Sequence, residues 1–155
     1  MQIEASPLYL DTSALAKIYV QEQDSDALDA ALVGRRDLLI SELALTELTS
    51  ALARRVREGQ LDGTAGRRIY QQIFRDVGAG EYRLVDLTSA THREAERLLL
   101  TLGQHAPLRA ADSLHLAAAA LADARALVTY DRTLHAAALA FGAFEVVPAG
   151  LPPRP

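Results

Sequence analysis

Short apolar runs alternate along this chain with longer stretches in which apolar residues recur every three or four positions. The short runs predict β-strands and the longer periodic stretches predict α-helices. Five strands are predicted, at Leu8–Leu10, Leu38–Ile40, Tyr82–Val85, Ala126–Thr129 and Phe144–Val147. Seven helices are predicted between and after them, at Ser13–Val20, Ser25–Val33, Leu43–Glu58, Thr64–Val77, Ala90–Leu102, Ala110–Ala122 and Thr133–Ala140.

This alternation indicates an α/β fold in which a parallel sheet of about five strands is flanked by helices. The pattern continues without a linker or an internal repeat, so we expect one domain over residues 1–150 and a disordered tail over residues 151–155. In open parallel sheets, ligands bind outside the carboxyl ends of the strands. Residues that directly follow a strand are therefore the first candidates for a functional site.

The composition excludes several classes of protein. The chain has 155 residues with no Cys, which rules out disulfides, thiol catalysis and Cys-ligated zinc. No apolar run approaches the length that spans a bilayer, and the first residues lack the basic segment of a secretory signal. A cytoplasmic protein is the simplest expectation. The formal net charge of −4 argues against a protein that coats nucleic acid non-specifically.

Four acidic residues lie where such a fold would bring them together. Asp11 follows the first predicted strand, and Asp131 follows the fourth after one intervening residue. Glu47 and Asp112 lie near the starts of two otherwise apolar helices. Each has an ordinary structural explanation, because Asp11 and Asp131 suit helix N-caps and Asp112 suits a helix first turn. Glu47 could equally be a solvated helix residue.

A cluster of all four acids is harder to explain by structure alone. Two carboxylates ~5 Å apart repel by on the order of 3 kcal/mol at an effective dielectric constant of ~20. A divalent cation would offset that repulsion. Carboxylate oxygens with no Cys nearby favour Mg²⁺ or Mn²⁺.

Four segments carry a resemblance to a known family. Leu10-Asp11-Thr12-Ser13-Ala14-Leu15-Ala16-Lys17-Ile18-Tyr19 resembles the opening motif of PIN-domain ribonucleases, especially VapC-type toxins. Thr46-Glu47-Leu48 is similar to the second acidic motif. The third and fourth motifs resemble Leu108-Arg109-Ala110-Ala111-Asp112-Ser113-Leu114-His115-Leu116-Ala117 and Thr129-Tyr130-Asp131-Arg132-Thr133-Leu134. The resemblance implies a PIN fold and Mg²⁺- or Mn²⁺-dependent RNA cleavage in which Asp11, Glu47, Asp112 and Asp131 are the catalytic and metal-binding residues.

Several neighbouring residues are candidates for supporting roles. Thr12 and Ser13 could hold water, phosphate or metal-bound solvent, although Ser13 also suits an N-cap. Thr129 could hold Asp131 through its hydroxyl group, or be a plain strand residue. Lys17, Arg109 and Arg132 could bind the RNA backbone; a solvated lysine and charge-balancing arginines are the alternatives. The four His show no metal spacing, and His115 is interpreted as a core residue or one that supports the site.

Three other functions are alternatives to RNA cleavage. A haloacid-dehalogenase-like phosphatase would need a second acid at position 13, which is Ser13, and a receiver domain would need an acidic pair after the first strand. A PIN-like subunit that only mediates interactions remains an alternative. The resemblance implies an antitoxin partner and a homodimer. We expect the antitoxin on the apolar stripe and arginines of Leu43–Glu58 and Thr64–Val77, and the dimer through apolar residues such as Leu134, Ala136–Leu139 and Phe141.

Overall fold

The computed structural model describes residues 3–151 and contains every predicted strand and helix. The strands are β1 (Leu8–Leu10), β2 (Leu38–Ser41), β3 (Arg83–Val85), β4 (Ala126–Val128) and β5 (Glu145–Val147). The helices are α1 (Thr12–Tyr19), α2 (Ser25–Leu32), α3 (Glu42–Arg57), α4 (Gly63–Gly78), α5 (Ser89–Thr101), α6 (Ala110–Leu121) and α7 (Arg132–Phe141), with one 3₁₀ turn at Leu102–Gln104. Four of the five residues predicted as a tail, 152–155, lie outside the described residues.

The five strands form one parallel sheet in the order β3-β2-β1-β4-β5. The chain builds outward from β1 to β2 and β3 and then returns to place β4 on the other side of β1. The boundary between β1 and β4 is therefore the point where the direction of winding reverses, which is where α/β sheets bind ligands.

Helices cover both faces of the sheet because its strands are apolar on both sides. Leu8 and Leu10 point into a core shared with α1, α2 and α3, whereas Tyr9 points into a second core shared with α5, α6 and α7. This alternation is the two-residue period of a strand. Helices α3 and α4 approach closely at Gly66, where an added Cβ would lie 3.1 Å from Cγ2 of Val56.

Part of one predicted interface belongs to the core instead. Leu134, Ala137 and Ala138 are buried within the protein's own second core, because α7 packs this face on the sheet. Leu139 is the large apolar residue of this helix that is exposed, at 56%. Leu134, Ala137 and Ala138 are thus not available to a partner, whereas Ala136 and Leu139 of the predicted dimer surface are exposed, and the homodimer stays a prediction. No helix within residues 3–151 is long and apolar enough to cross a membrane.

Candidate active site

The four predicted acids line a single open pocket of about 560 Å³ at the carboxyl edge of the sheet. Asp11 leaves β1, Asp131 follows β4, and Glu47 lies in the second turn of α3, which follows β2. Asp112 reaches the same edge because α6 runs antiparallel to the strands and begins there. The polar lining consists of Asp11, Thr12, Ser13, Glu47, Ser50, Arg54, Arg55, Arg109, Asp112, His115 and Asp131.

Asp11 forms the buried floor of this pocket, with 2% of its surface exposed. Its Oδ1 accepts hydrogen bonds from the Ala14 backbone N–H at 2.9 Å and from Ser13 Oγ at 2.7 Å, and its Oδ2 accepts from Thr129 Oγ1 at 2.7 Å. Asp11 is thus the N-cap of α1 as well as a site residue. Burial raises the pKa of this carboxyl group above its usual value, against the lowering effects of His115 and these hydrogen bonds.

Ser13 and Thr129 join the two central strand ends, which changes the roles expected for them. Ser13 Oγ accepts from the backbone N–H of Tyr130 at 2.7 Å and of Asp131 at 3.2 Å. Thr129 donates to Asp11, and contacts Asp131 only through that residue's backbone N–H, at 3.1 Å. Of the two N-cap candidates for α1, Asp11 holds the position and Ser13 does not. The hydroxyl group of Thr129 holds the side chain of Asp11.

Asp131 and Asp112 are each fixed through one oxygen. Asp131 Oδ1 caps α7 by accepting from the backbone N–H of Thr133 at 2.7 Å and of Leu134 at 3.0 Å. Asp112 Oδ2 accepts from the backbone N–H of Arg109 at 3.1 Å. The pKa of Asp112 is raised, mainly by burial and to a smaller extent by the charge of Asp131. Desolvation therefore outweighs the carboxylate repulsion on which the sequence argument relied.

Glu47 is held by groups from two other elements. His115 Nε2 lies 2.8 Å from Glu47 Oε2, and Thr12 Oγ1 donates to the same oxygen. The hydrogen bond from His115 lowers the pKa of Glu47, together with that from Thr12 and against partial burial. Sequence analysis correctly gave His115 a core or supporting position but did not connect it to Glu47. The sequence feature that points to His115 is its spacing of three residues from Asp112, which places both side chains on one face of α6.

Two of the three predicted cations do not line the pocket. Lys17 donates to the Gln23 backbone carbonyl at 2.6 Å and lies 4.7 Å from the centre of the Tyr130 ring, so its charge serves the α1–α2 connection. Arg132 also lies outside the lining residues, whereas Arg109 is exposed at the rim. Arg54 and Arg55 are pocket residues that sequence analysis placed on the antitoxin surface.

The donor set suits a hard divalent cation. Beyond the hydrogen bonds described above, Oε1 of Glu47, Oδ1 of Asp112 and Oδ2 of Asp131 have no hydrogen-bond donor among residues 3–151. Free carboxylate oxygens are the ligands that Mg²⁺ and Mn²⁺ prefer. No group of three or more Asp, Glu or His side chains in that part of the chain is yet arranged to hold an ion, so a cation would have to draw them together.

Comparison with known families assigns the chain to one of them. Residues 8–139 match the family described as PIN domain. The chain belongs to the PIN domain family. A curated relative, Ribonuclease VapC46 of Mycobacterium tuberculosis, is 33% identical over 143 residues, covering 91% of this chain and 97% of the relative. The predicted PIN-type α/β fold and the kinship with VapC ribonucleases are thereby confirmed.

Solved structures support the same fold. FitAcB from Neisseria gonorrhoeae superimposes with a TM-score of 0.70 at 17% identity, covering 90% of this PIN domain chain and 95% of that one. A toxin–antitoxin complex from Klebsiella pneumoniae gives a TM-score of 0.60 at 16% identity, covering 94% of this chain and 99% of that one. At these identities the likeness concerns the fold alone.

Proposed function

We propose that this PIN domain protein is a Mg²⁺- or Mn²⁺-dependent endoribonuclease that acts as the toxin of a toxin–antitoxin pair. The observation that carries the proposal is the set of three carboxylates, each with a free oxygen, around one pocket above the buried Asp11. The relative named as a ribonuclease supports RNA as the substrate. The solved toxin–antitoxin complex with the same fold supports an antitoxin partner.

The pocket residues would have different roles in phosphodiester hydrolysis. Glu47, Asp112 and Asp131 would hold the cation, and the buried charge of Asp11 adds negative potential beneath it. A bound divalent cation supplies Lewis acidity and neutralises phosphate charge. Arg109, exposed at the rim, would bind an RNA phosphate and keep the chain over the acids.

The geometry disfavours the phosphatase alternative. A nucleophilic aspartate must present a carboxylate oxygen to the phosphorus atom. Both oxygens of Asp11 accept hydrogen bonds from the protein, and the side chain forms the floor of the pocket with only 2% of its surface exposed. The remaining alternative is an interaction subunit without nuclease activity. An RNA-cleavage assay distinguishes it from the proposal.

Cleavage should depend on the divalent cation. We expect the purified chain to cut RNA internally with Mn²⁺ or Mg²⁺ and to lose this activity in EDTA, with recovery when excess Mn²⁺ is restored. The measurement is incubation with total RNA followed by sequencing of the new ends. Equal cleavage with and without EDTA would refute the cation requirement, and no cleavage under any condition would favour the interaction subunit.

Replacing Asp112 with Asn should stabilise the cation-free protein slightly. The folded-state pKa of Asp112 is raised, so its ionised form opposes folding; the stability that the residue contributes is present at low pH and lost as pH rises through that pKa. We expect the melting temperature of Asp112→Asn to rise by about 1–3 °C at pH 7 and to match wild type at acidic pH, where both side chains are neutral.

The same variant should lose the stabilisation that Mn²⁺ gives the wild-type protein, because a ligand that binds the folded state raises the melting temperature by an amount that grows with the ratio of its concentration to its Kd. Differential scanning fluorimetry with and without Mn²⁺ measures both effects. A variant that keeps the wild-type Mn²⁺ shift would place Asp112 outside the cation site.

A further inference from the structure

A buried chain of hydrogen bonds runs from the middle of the sheet to Glu47. The hydroxyl group of Tyr9, on β1, lies 2.8 Å from Ser41 Oγ at the end of β2 and 2.9 Å from His115 Nδ1 on α6. On the other side of the same imidazole, Nε2 lies 2.8 Å from Glu47 Oε2. This hydrogen-bond network thus links β1, β2, α3 and α6 through His115.

The residues of this hydrogen-bond network become more exposed from Tyr9 towards Glu47. Tyr9 and Ser41 are fully buried, the His115 side chain is 3% exposed, and the Glu47 side chain is 33% exposed. The Tyr9 and His115 rings also meet edge to face, with their centres 5.9 Å apart. Both imidazole nitrogens therefore have hydrogen-bond partners, and the ring packs against Tyr9. These contacts fix the orientation of the imidazole before a ligand enters the pocket.

We propose that His115 is a positioning residue that aims the free oxygen of Glu47 into the pocket. A carboxylate can only accept hydrogen bonds, so the Nε2 that faces it is the donor. His115 and Thr12 both contact Oε2, which leaves Oε1 as the oxygen directed at a ligand. This inference rests on the proposed function, because it assigns His115 a role in the site where the cation and RNA would bind.

The position of Glu47 on its helix explains why such support is needed. Glu47 has three rotatable side-chain bonds and lies on a helix whose own residues give it no hydrogen-bond partner within residues 3–151. Asp11, Asp112 and Asp131 are instead fixed by backbone N–H groups at helix starts. Among residues 3–151, Glu47 is the acid of the four that is held by side-chain donors alone, with no backbone N–H bonded to its carboxylate.

The test compares His115→Leu, which removes the donor, with His115→Gln, whose amide nitrogen restores a donor near the position of Nε2. We measure kcat and KM for RNA cleavage, the Kd for Mn²⁺ alone by calorimetry, and the melting temperature. His115→Leu should lower kcat or weaken Mn²⁺ binding about 10-fold or more, as supporting residues around metal sites typically do, and His115→Gln should recover most of the loss. His135→Gln is the matched control, since His135 is a buried helical histidine that contacts the Pro148 carbonyl at 2.8 Å, away from the pocket.

A double-mutant cycle separates positioning from a general structural effect. In a Glu47→Gln background, His115→Leu should change kcat and the Mn²⁺ Kd less than about 2-fold, because the group through which it acts is already gone. Equal losses in both backgrounds, or no loss in His115→Leu, would overturn the inference. If the wild-type protein binds Mn²⁺ but cuts no RNA, the proposed function fails while the Mn²⁺ cycle still decides the role of His115. A wild-type protein that does neither refutes both.

Discussion

Asp11→Asn is expected to reduce RNA cleavage by about 10²–10⁴-fold while leaving the protein folded. Asp11 is the one acid whose oxygens are both bonded to the protein, so its contribution to a cation is charge placed in a buried position. Charge at such a site acts strongly because little water is there to screen it. Its loss should appear in both Mn²⁺ affinity and kcat.

The fold should survive this change for two reasons. Asn is as good an N-cap as Asp, so the hydrogen bond from the Ala14 N–H to the cap can be kept. The raised pKa of Asp11 shows that burial opposes its ionised form, and Asn removes that opposition at neutral pH. Circular dichroism and a melting curve measured beside the cleavage assay establish whether the variant is folded.

Asp62→Asn is a matched control for Asp11→Asn. Asp62 caps α4 by accepting from the backbone N–H of Thr64 at 2.8 Å and lies at the far end of α3 from Glu47. The same substitution there should leave cleavage unchanged. Full activity in a well-folded Asp11→Asn protein would remove Asp11 from the mechanism, and equal losses in both variants would point to a generic effect of the substitution.

The elements of the fold could be predicted from sequence because local periodicity decides them. Each predicted strand and helix is present, and no boundary moves by more than one residue, as for β4, which ends at Val128 rather than Thr129. The strand order could not be obtained in this way. It depends on which apolar faces pack together once the chain has folded, and that information is spread over the whole sequence.

The site was predictable to the extent that it follows from sheet topology. Asp11 and Asp131 follow strands that prove to be neighbours, so they lie at one edge. The link between His115 and Glu47 was not predictable, because it requires α3 and α6 to meet, and no local pattern encodes that contact. The same limit explains why Leu134 was expected at a dimer surface, whereas it fills the second core.

The apolar groove between α3 and α4 is the surface where we expect an antitoxin helix. It is lined by Leu52, Ala53 and Val56 from α3 and by Gly66 and Tyr70 from α4. Tyr70 and Phe74 remain 44% and 47% exposed and contact each other, with ring centres 4.7 Å apart and ring planes tilted by 47°. Aromatic side chains left open beside an apolar groove are typical anchors for the apolar face of an amphipathic helix.

Charge beside the groove indicates the chemistry of that helix. Arg54, Arg57, Arg67 and Arg68 are exposed on α3 and α4, and Arg67 itself lines the groove. A partner helix with acidic residues along its edges would pair with them, which speeds association and makes it sensitive to salt. Arg55 is not counted with these, because it forms an ion pair with Glu22.

Tyr70→Ala should therefore weaken antitoxin binding about 30-fold or more, the loss expected when a central aromatic anchor is truncated. The protein encoded beside this chain is co-expressed, purified and titrated onto each variant by calorimetry, with cleavage by the free enzyme measured in parallel. Cleavage should be unchanged, because Tyr70 does not line the acidic pocket. Leu100→Ala, at a residue 73% exposed on α5, is the control and should bind as wild type. Wild-type affinity in Tyr70→Ala would exclude the groove as the antitoxin site. If the encoded neighbour binds neither the wild-type protein nor any variant, or binds without reducing cleavage, the antitoxin hypothesis is refuted and the nuclease proposal is unaffected.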